Sequence, residues 1–288
     1  MATEQVKIIE CPRDAMQGLH DFIPTEMKVR YLNEVLRVGF DTIDIGSFVS
    51  AKAIPQLADT AEVLSRIDLE GSRSKLLVIV ANERGAEEAC VQESVTFLGY
   101  PFSISETFQQ RNTNTSIEGS WERTSRIAEM AAKAGKELVV YISMAFGNPY
   151  GDPWNADIAL RWTNRLVNEL GVRIISLADT VGVAKPADIS SMFNALIPSL
   201  PHVEFGAHLH ARPDNWKAKT DAAWNAGCRR FDGAIRGFGG CPMAEDVLVG
   251  NLTTELFVRD MESRGVRTEL DPAQLDRCVV EAGIVFPL

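Results

Sequence analysis

Eight short runs rich in Val and Ile recur along the chain and alternate with longer amphipathic stretches. This alternation constrains the fold more than any other feature. The runs are VKIIE (6–10), DTIDI (41–45), KLLVIV (75–80), VTFLG (95–99), ELVVYIS (137–143), VRIISL (172–177), VEFGAHLH (203–210) and RRFDGAI (229–235). Most lie 30 to 43 residues apart, with a 20-residue step between the third and the fourth. Runs so dense in β-branched residues suit strands covered on both faces, as in a parallel sheet. Helix signals fill the gaps. After Pro24, Thr25 is placed as an N-cap, Met27, Tyr31, Leu32, Val35 and Leu36 form one stripe, and Gly39 ends it. Similar stretches cover 120–135, 155–171, 187–196 and 215–227. No linker-like tract divides the chain. Eight strands with intervening helices in about 260 residues predict an α/β fold, a (β/α)8 TIM barrel, as one domain over residues 1–288. The competitor is a doubly wound open sheet, but no GxGxxG or GxxxxGK[ST] turn follows the first strand.

Composition narrows the partners. With 45% hydrophobic and 24% charged residues the chain is of the globular class, which excludes disorder, collagen and coiled coil. The balance of 29 Lys+Arg against 39 Asp+Glu gives a formal charge of −10. That argues against nucleic acid or an anionic membrane as partner, and any anionic ligand must meet a local cluster of positive charge. The five cysteines are odd in number and contain no CxxC pair, which predicts a reducing compartment. The opening MATEQVKIIECPRD lacks the pattern of a secretory signal, and no apolar stretch approaches the length of a membrane span, so a cytoplasmic protein is expected.

In such a barrel the site lies at the C-terminal ends of the strands. There the sequence places Arg13 and Asp14 after the first run, Asp44 and Ser47 at the second, and Ser105 and Glu106 beyond the fourth. Asp179 and Thr180 follow the sixth, His208 and His210 close the seventh, and 236–251 follow the eighth. His208-Leu209-His210 is the sharpest signal, since residues i and i+2 of a strand project together. A bare HxH is equally compatible with two packing histidines. Asp14, on the neighbouring rim of a closed barrel, tips the balance. Two neutral imidazoles, a carboxylate and an amide oxygen suit Mg²⁺, Mn²⁺ or Zn²⁺. Gly237-Phe238-Gly239-Gly240-Cys241-Pro242 reads as a mobile loop with a pinned end, or as a tight turn holding an inert cysteine. Arg13-Asp14 is likewise either a site pair or a surface ion pair.

These segments resemble the 3-hydroxy-3-methylglutaryl-CoA lyases, within the wider group of metal-dependent lyase and Claisen-condensing barrels. The resemblance runs from about Ile8 to Glu255. It is carried by PRDAMQ (12–17), SFVSAKAIPQLAD (47–59), SISETFQQRNTNTSIE (103–118), SLADTVGVAKP (176–186), HLH (208–210), GFGGCPMA (237–244) and GNLTTE (250–255). It implies that Asp14, His208, His210 and Asn251 bind a divalent metal, Mg²⁺ or Mn²⁺ with Zn²⁺ also admitted. It implies that Arg13 polarises a thioester carbonyl and stabilises the enolate. Cys241 would then protonate that enolate, and Asp179 would orient or deprotonate a tertiary hydroxyl. The implied reaction is retro-Claisen cleavage of a 3-hydroxyacyl-CoA to acetyl-CoA and a keto acid, with an acyl-CoA as partner and a homodimer as the assembly.

The chain departs from the family pattern around the substrate. Asp44 stands where the family has Glu at the end of the second strand and is expected as a catalytic carboxylate, and His20 stands where the family has Lys. Ala211 and Arg212 replace Asp-Thr after the histidines, and AIRGFGGCPM (234–243) replaces SVAGLGGCPY. The proposed ligands and Cys241 survive, so the chemistry is expected to be kept while the acyl group can differ. Arg212 and Arg236 are expected to add positive charge at the rim. The alternatives are a condensing acyltransferase of the 2-alkylmalate synthase type and a barrel that binds CoA esters without catalysis. The length leaves no room for the regulatory domain common in such synthases, and a binding module has no need of a retained metal set.

Overall fold

A computed structural model describes residues 4–240 and 249–286. Its eight strands are all parallel and close into a barrel in chain order. They are β1 (Lys7–Glu10), β2 (Thr42–Ser47), β3 (Lys75–Ile79), β4 (Val95–Ser103), β5 (Glu137–Ser143), β6 (Ile174–Asp179), β7 (Glu204–Leu209) and β8 (Arg230–Gly233). Each expected run overlaps its strand, and β2, β4 and β6 continue beyond the run. The largest difference is β4, which continues to Ser103 through Pro101. Beyond Gly99 this strand pairs with β5 alone, so the proline sits where the ladder to β3 has ended.

Around the barrel run α1 (Pro12–Gln17), α2 (Thr25–Leu36), α3 (Thr60–Arg66), α4 (Glu83–Cys90), α5 (Glu106–Thr113), α6 (Ile117–Lys133), α7 (Ala156–Leu170), α8 (Pro186–Ser199), α9 (Trp216–Asn225), α10 (Thr254–Ser263) and α11 (Pro272–Val285). Side chains of Asn82, Ser105, Ser116, Asn155 and Asp271 accept backbone N–H groups at five of the helix starts. Thr25 does not cap α2. It is the first helical residue, Pro24 holds the cap position, and the Thr25 hydroxyl donates to Asp59 at 2.8 Å.

The strands separate two cores. The larger lies between barrel and helices and takes the outward side chains, such as Ile8, Ile43, Leu98 and Leu209. A smaller apolar cluster of Leu77, Phe97, Val139 and Tyr141 fills one side of the barrel interior. The other side is polar. Register pairs His208 with Asp232, and Asp232 with Ile9, so these positions share the inner face, where Ser176 Oγ meets Asp232. The same parity turns Glu10 and Asp179 outward, into the helix layer. Glu10 is fully buried there, accepting from Ile235 N at 2.8 Å and Thr254 Oγ1 at 2.6 Å. Burial raises its carboxyl to about 8, and those two hydrogen bonds only partly oppose the rise.

Candidate active site

The chain turns from β1 straight into α1, because Pro12 occupies the first turn, where a missing N–H goes unused. Arg13 and Asp14 therefore sit on a helical turn above the barrel, and both are buried rather than forming a surface pair. Arg13 Nε donates to Asp44 Oδ2 at 3.0 Å, Nη2 also reaches Asp44, and Nη1 donates to Asp14 Oδ1 at 2.7 Å and Gln17 Oε1 at 2.9 Å. A guanidinium has one more N–H than these contacts use, and Arg13 forms part of the cavity wall. Burial works against the Arg13 charge, but Asp44 and Asp14 outweigh it, so the group stays charged.

Asp44 takes a different place from the one expected of a catalytic carboxylate. It is fully buried beneath Arg13, is spent on that guanidinium, and does not line the cavity. Burial pushes it up to about 6, against the pull of Arg13. It orients Arg13. Asp179 is likewise turned away. Its Oδ1 accepts from Ala184 N at 3.0 Å and its Oδ2 from Lys219 Nζ at 2.6 Å, both in the helix layer. Parity explains this, because Asp179 pairs with Leu209 whereas Ala178 pairs with His208. No contact with a substrate hydroxyl follows from that position.

His208 and His210 project together as the i, i+2 rule requires, with ring centroids 5.3 Å apart. Asp14 completes the group: one ligand atom from each of Asp14, His208 and His210 lies within 4.8 Å of the others. Asn251 joins it by donating from Nδ2 to Asp14 Oδ2 at 2.7 Å and to Phe238 O at 2.9 Å. Burial alone would raise Asp14, but Arg13, the two histidines and Asn251 hold it at about 2. Burial and then His208 lower His210 to about 4, so its ring is neutral at pH 7. His210 Nε2 is buried, lacks a hydrogen-bond partner and faces Asp14 Oδ2 across 3.9 Å. A buried, unpartnered nitrogen costs about 1–3 kcal/mol, which a cation at this point would relieve. The residues fit a divalent ion, held by two neutral imidazoles and a carboxylate, with Asn251 alongside.

Three contributors lie beyond the expected set. Asp232 accepts from Ser176 Oγ and faces His208 Nδ1, each at 3.2 Å, which leaves Nε2 of His208 for the metal side. Burial opposes a charge on His208, but Asp232 outweighs it and raises the group. Cys11 also approaches His208 and Asp232. That second cluster is a poor cation site, because Arg230 lies 4.0 Å from Asp232 and burial raises the Cys11 thiol well above its ordinary range. Lys219, on α9, holds Asp179. The RFDG run already carried the Asp232 signal, an acidic residue at an inward strand position. Nothing local marks Lys219.

The cavity in front of these groups has a volume of about 400 Å³. Its lining includes the polar Arg13, Asp14, Thr180, His208 and His210 and the apolar Val49, Ile54, Ile79, Pro101 and Phe108. Arg111 on α5 also lines it, stacked 4.7 Å over the Tyr150 ring. The other polar positions marked in the sequence serve the scaffold. Ser47 ties β2 to β3 through Ile79 O, Ser105 caps α5, and Glu106 accepts from Ile117 N. Neither Arg212 nor Arg236 lines the cavity, and His20 is exposed away from it. Arg236 stacks on Phe238 instead. Cys241 and Met243 lie outside the described residues. At the near end of that loop, Gly239 has φ +95°, and a Cβ there would come within 2.6 Å of Asp14 O and 2.7 Å of Asn251 Nδ2.

Comparison with known proteins places the chain among relatives of one family. The chain is 32% identical over 282 residues to the cytoplasmic 3-hydroxy-3-methylglutaryl-CoA lyase of Rattus norvegicus, covering 97% of this chain and 80% of that protein. Its structure is similar to the crystal structure of the HMG-CoA lyase of Bacillus subtilis, with TM-score 0.92, 31% identity, and coverage of 99% of this chain and 95% of that one. It is also similar to an HMG-CoA lyase of Acinetobacter baumannii in complex with coenzyme A and 3-methylmalate, with TM-score 0.91, 27% identity, and coverage of 99% and 92%. The HMGL-like family model matches residues 5–279. With the barrel, the Asp14–His208–His210 group and these likenesses together, the chain belongs to the HMGL-like family.

Proposed function

We propose that the protein is a metal-dependent carbon–carbon lyase that cleaves 3-hydroxy-3-methylglutaryl-CoA to acetyl-CoA and acetoacetate. The observation that carries this is the shared wall of one cavity: Arg13, with an N–H to spare, stands beside Asp14, His208 and His210 at the C-terminal mouth of the barrel. In the reaction the 3-hydroxyl loses its proton as the C3 carbonyl forms. The C2–C3 bond breaks, its electron pair passes to C2 and the thioester oxygen as an enolate, and C2 takes up a proton. Asp14, His208 and His210, with Asn251 against them, would hold a divalent ion, taken by resemblance as Mg²⁺ or Mn²⁺. When bound, that ion supplies Lewis acidity toward the hydroxyl and carbonyl oxygens. Arg13 answers the negative charge that develops on the thioester oxygen, and Asp44 and Gln17 keep its fork in place before the charge appears. The apolar wall of Ile79, Pro101 and Phe108 keeps water from the enolate. By resemblance, the proton returned to C2 is assigned to Cys241.

The likeness to a structure holding coenzyme A supports an acyl-CoA substrate. Among the described residues no helix is long and apolar enough to cross a membrane. The setting we propose is a cytoplasmic homodimer in which each chain is one catalytic barrel. The test is acetoacetate release from 3-hydroxy-3-methylglutaryl-CoA by purified protein with Mg²⁺ or Mn²⁺. Turnover that disappears with a chelator and returns with metal is expected. Release of free CoA from acetyl-CoA plus a 2-oxoacid, with no cleavage, would replace the lyase by the condensing reaction.

A further inference from the structure

Lys219 is one of the few lysines buried within this protein, its side chain 3% exposed, and it lies outside the barrel on α9. Its ammonium has three donors, and each has an acceptor: Asp179 Oδ2 at 2.6 Å, His210 O at 2.8 Å and Gly182 O at 3.0 Å. Two of these acceptors belong to the end of β6 and the loop after it. The third is the backbone of His210, whose ring projects to the opposite side, toward Asp14.

The clip reaches further through backbone contacts. Gly182, at φ +72°, packs so closely on Val249 that a Cβ would come within 2.8 Å of its side chain. Val249 leads into Asn251, which bridges antiparallel to His210, and Ala211 N donates to Gly250 O at 2.8 Å. One buried charge therefore lies behind three segments that carry Thr180, His210 and Asn251. A buried ion pair is weak evidence for stability, because desolvation offsets its attraction, whereas fixing one arrangement of the groups around it is a role such pairs can serve.

We propose that Lys219 is a positioning residue for the metal site, fixing the backbone of His210, and with it the ring, relative to Asp14 and Asn251. Asp179 is its counter-charge and acts through it. The proposal rests on the metal reading given above, and its test reads metal binding in place of turnover.

The experiment titrates the metal-stripped protein with Mn²⁺ alone, following free Mn²⁺ by electron paramagnetic resonance. Lys219→Met by itself leaves the Asp179 carboxylate buried without a partner, so it is paired with Asp179→Asn, which keeps an acceptor for Ala184 N. The double variant is expected to bind Mn²⁺ about 10- to 100-fold more weakly than wild type, the range for losing the support behind a ligand. The comparator is Lys28→Met with Asp59→Asn. Lys28 is equally buried and bonds Asp59 at 2.7 Å and the Gln56 carbonyl, but it touches no residue of the metal group. This pair is expected to lower the melting temperature and leave Mn²⁺ affinity unchanged. If melting shows the Lys219 double variant unfolded, Lys219→Gln with Asp179→Asn, whose shorter amide has too few donors for all three acceptors, is read in its place. A folded Lys219 variant with wild-type Mn²⁺ affinity overturns the proposal, as does an equal loss in the Lys28 pair. Absence of Mn²⁺ binding by wild type would remove the metal reading itself, and metal binding without lyase turnover would remove only the assigned reaction.

Discussion

Gly239 shows how little freedom the site leaves at single residues. Its positive φ and its contact with Asp14 and Asn251 both exclude a side chain. Gly239→Ala should lower stability by about 1–3 kcal/mol. It should also weaken Mn²⁺ binding, because the new methyl pushes on two proposed ligands. Thermal melting alongside a metal titration checks both, and unchanged metal affinity would show that the loop base gives way instead. Asp232 is the second such residue. Its hydrogen bond from His208 Nδ1 leaves Nε2 for the proposed metal, so Asp232→Asn should reduce Mn²⁺ affinity about 10- to 100-fold with the barrel still folded. Affinity within twofold of wild type would reduce Asp232 to a packing residue. Asp44 and Asp179 were legible as polar residues at strand ends, yet each serves another side chain. Local sequence shows where a carboxylate lies along the chain, whereas its partner comes from a segment 31 residues away for Asp44 and 40 for Asp179.

At the scale of elements, strand parity decides most roles. The inner face of β7 presents His208 and the bridge residue just past its end presents His210, while the outer face of β1 presents Glu10 to Ile235 and Thr254. This outer contact gives a pH dependence of unusual sign. The folded carboxyl titrates at about 8 against 4.5 for the ordinary group. Between those values the folded protein holds a proton that the unfolded chain has released. Stability contributed by protonated Glu10 is therefore fully present below pH 4.5 and falls as pH rises toward 8, by about 1.4 kcal/mol per unit for one proton. Glu10→Gln should flatten that slope in urea unfolding measured from pH 5 to 8. An unchanged slope would place the titration elsewhere. The run pattern located all eight strands, because β-branched density is a local property. It missed α1, since Pro12 and the short helix behind it resemble a strand end in sequence. It also missed that Thr25 would turn its hydroxyl to Asp59, a partner supplied by the loop after β2.

For the whole molecule the question is how a chain of charge −10 receives an anionic CoA ester. Arg13 is held by Asp14 and Asp44, and Arg236 packs on Phe238. Arg111 lines the cavity and pairs with no carboxylate among the described residues. Arg111→Gln should raise KM about tenfold, the equivalent of one charge-assisted contact near 1.4 kcal/mol, and leave kcat unchanged. The effect should shrink as salt is added. A fall in kcat at constant KM would move Arg111 from binding to the reaction itself.

The sequence by itself determined the barrel and the end of the barrel where chemistry gathers, and its resemblance pointed to Asp14, His208, His210 and Asn251 as a proposed metal group. Those follow from periodicity, from the closure of parallel strands, and from motifs long enough to carry a family resemblance. Only the tertiary structure decided which of the remaining charged residues reach the cavity. It buried Asp44 under Arg13 and gave Asp179 to Lys219, and it placed Asp232 behind His208 and Arg111 on the wall. The reason is physical: a buried charge must find an opposite partner, and that partner is set by how elements pack, which no local run of residues encodes.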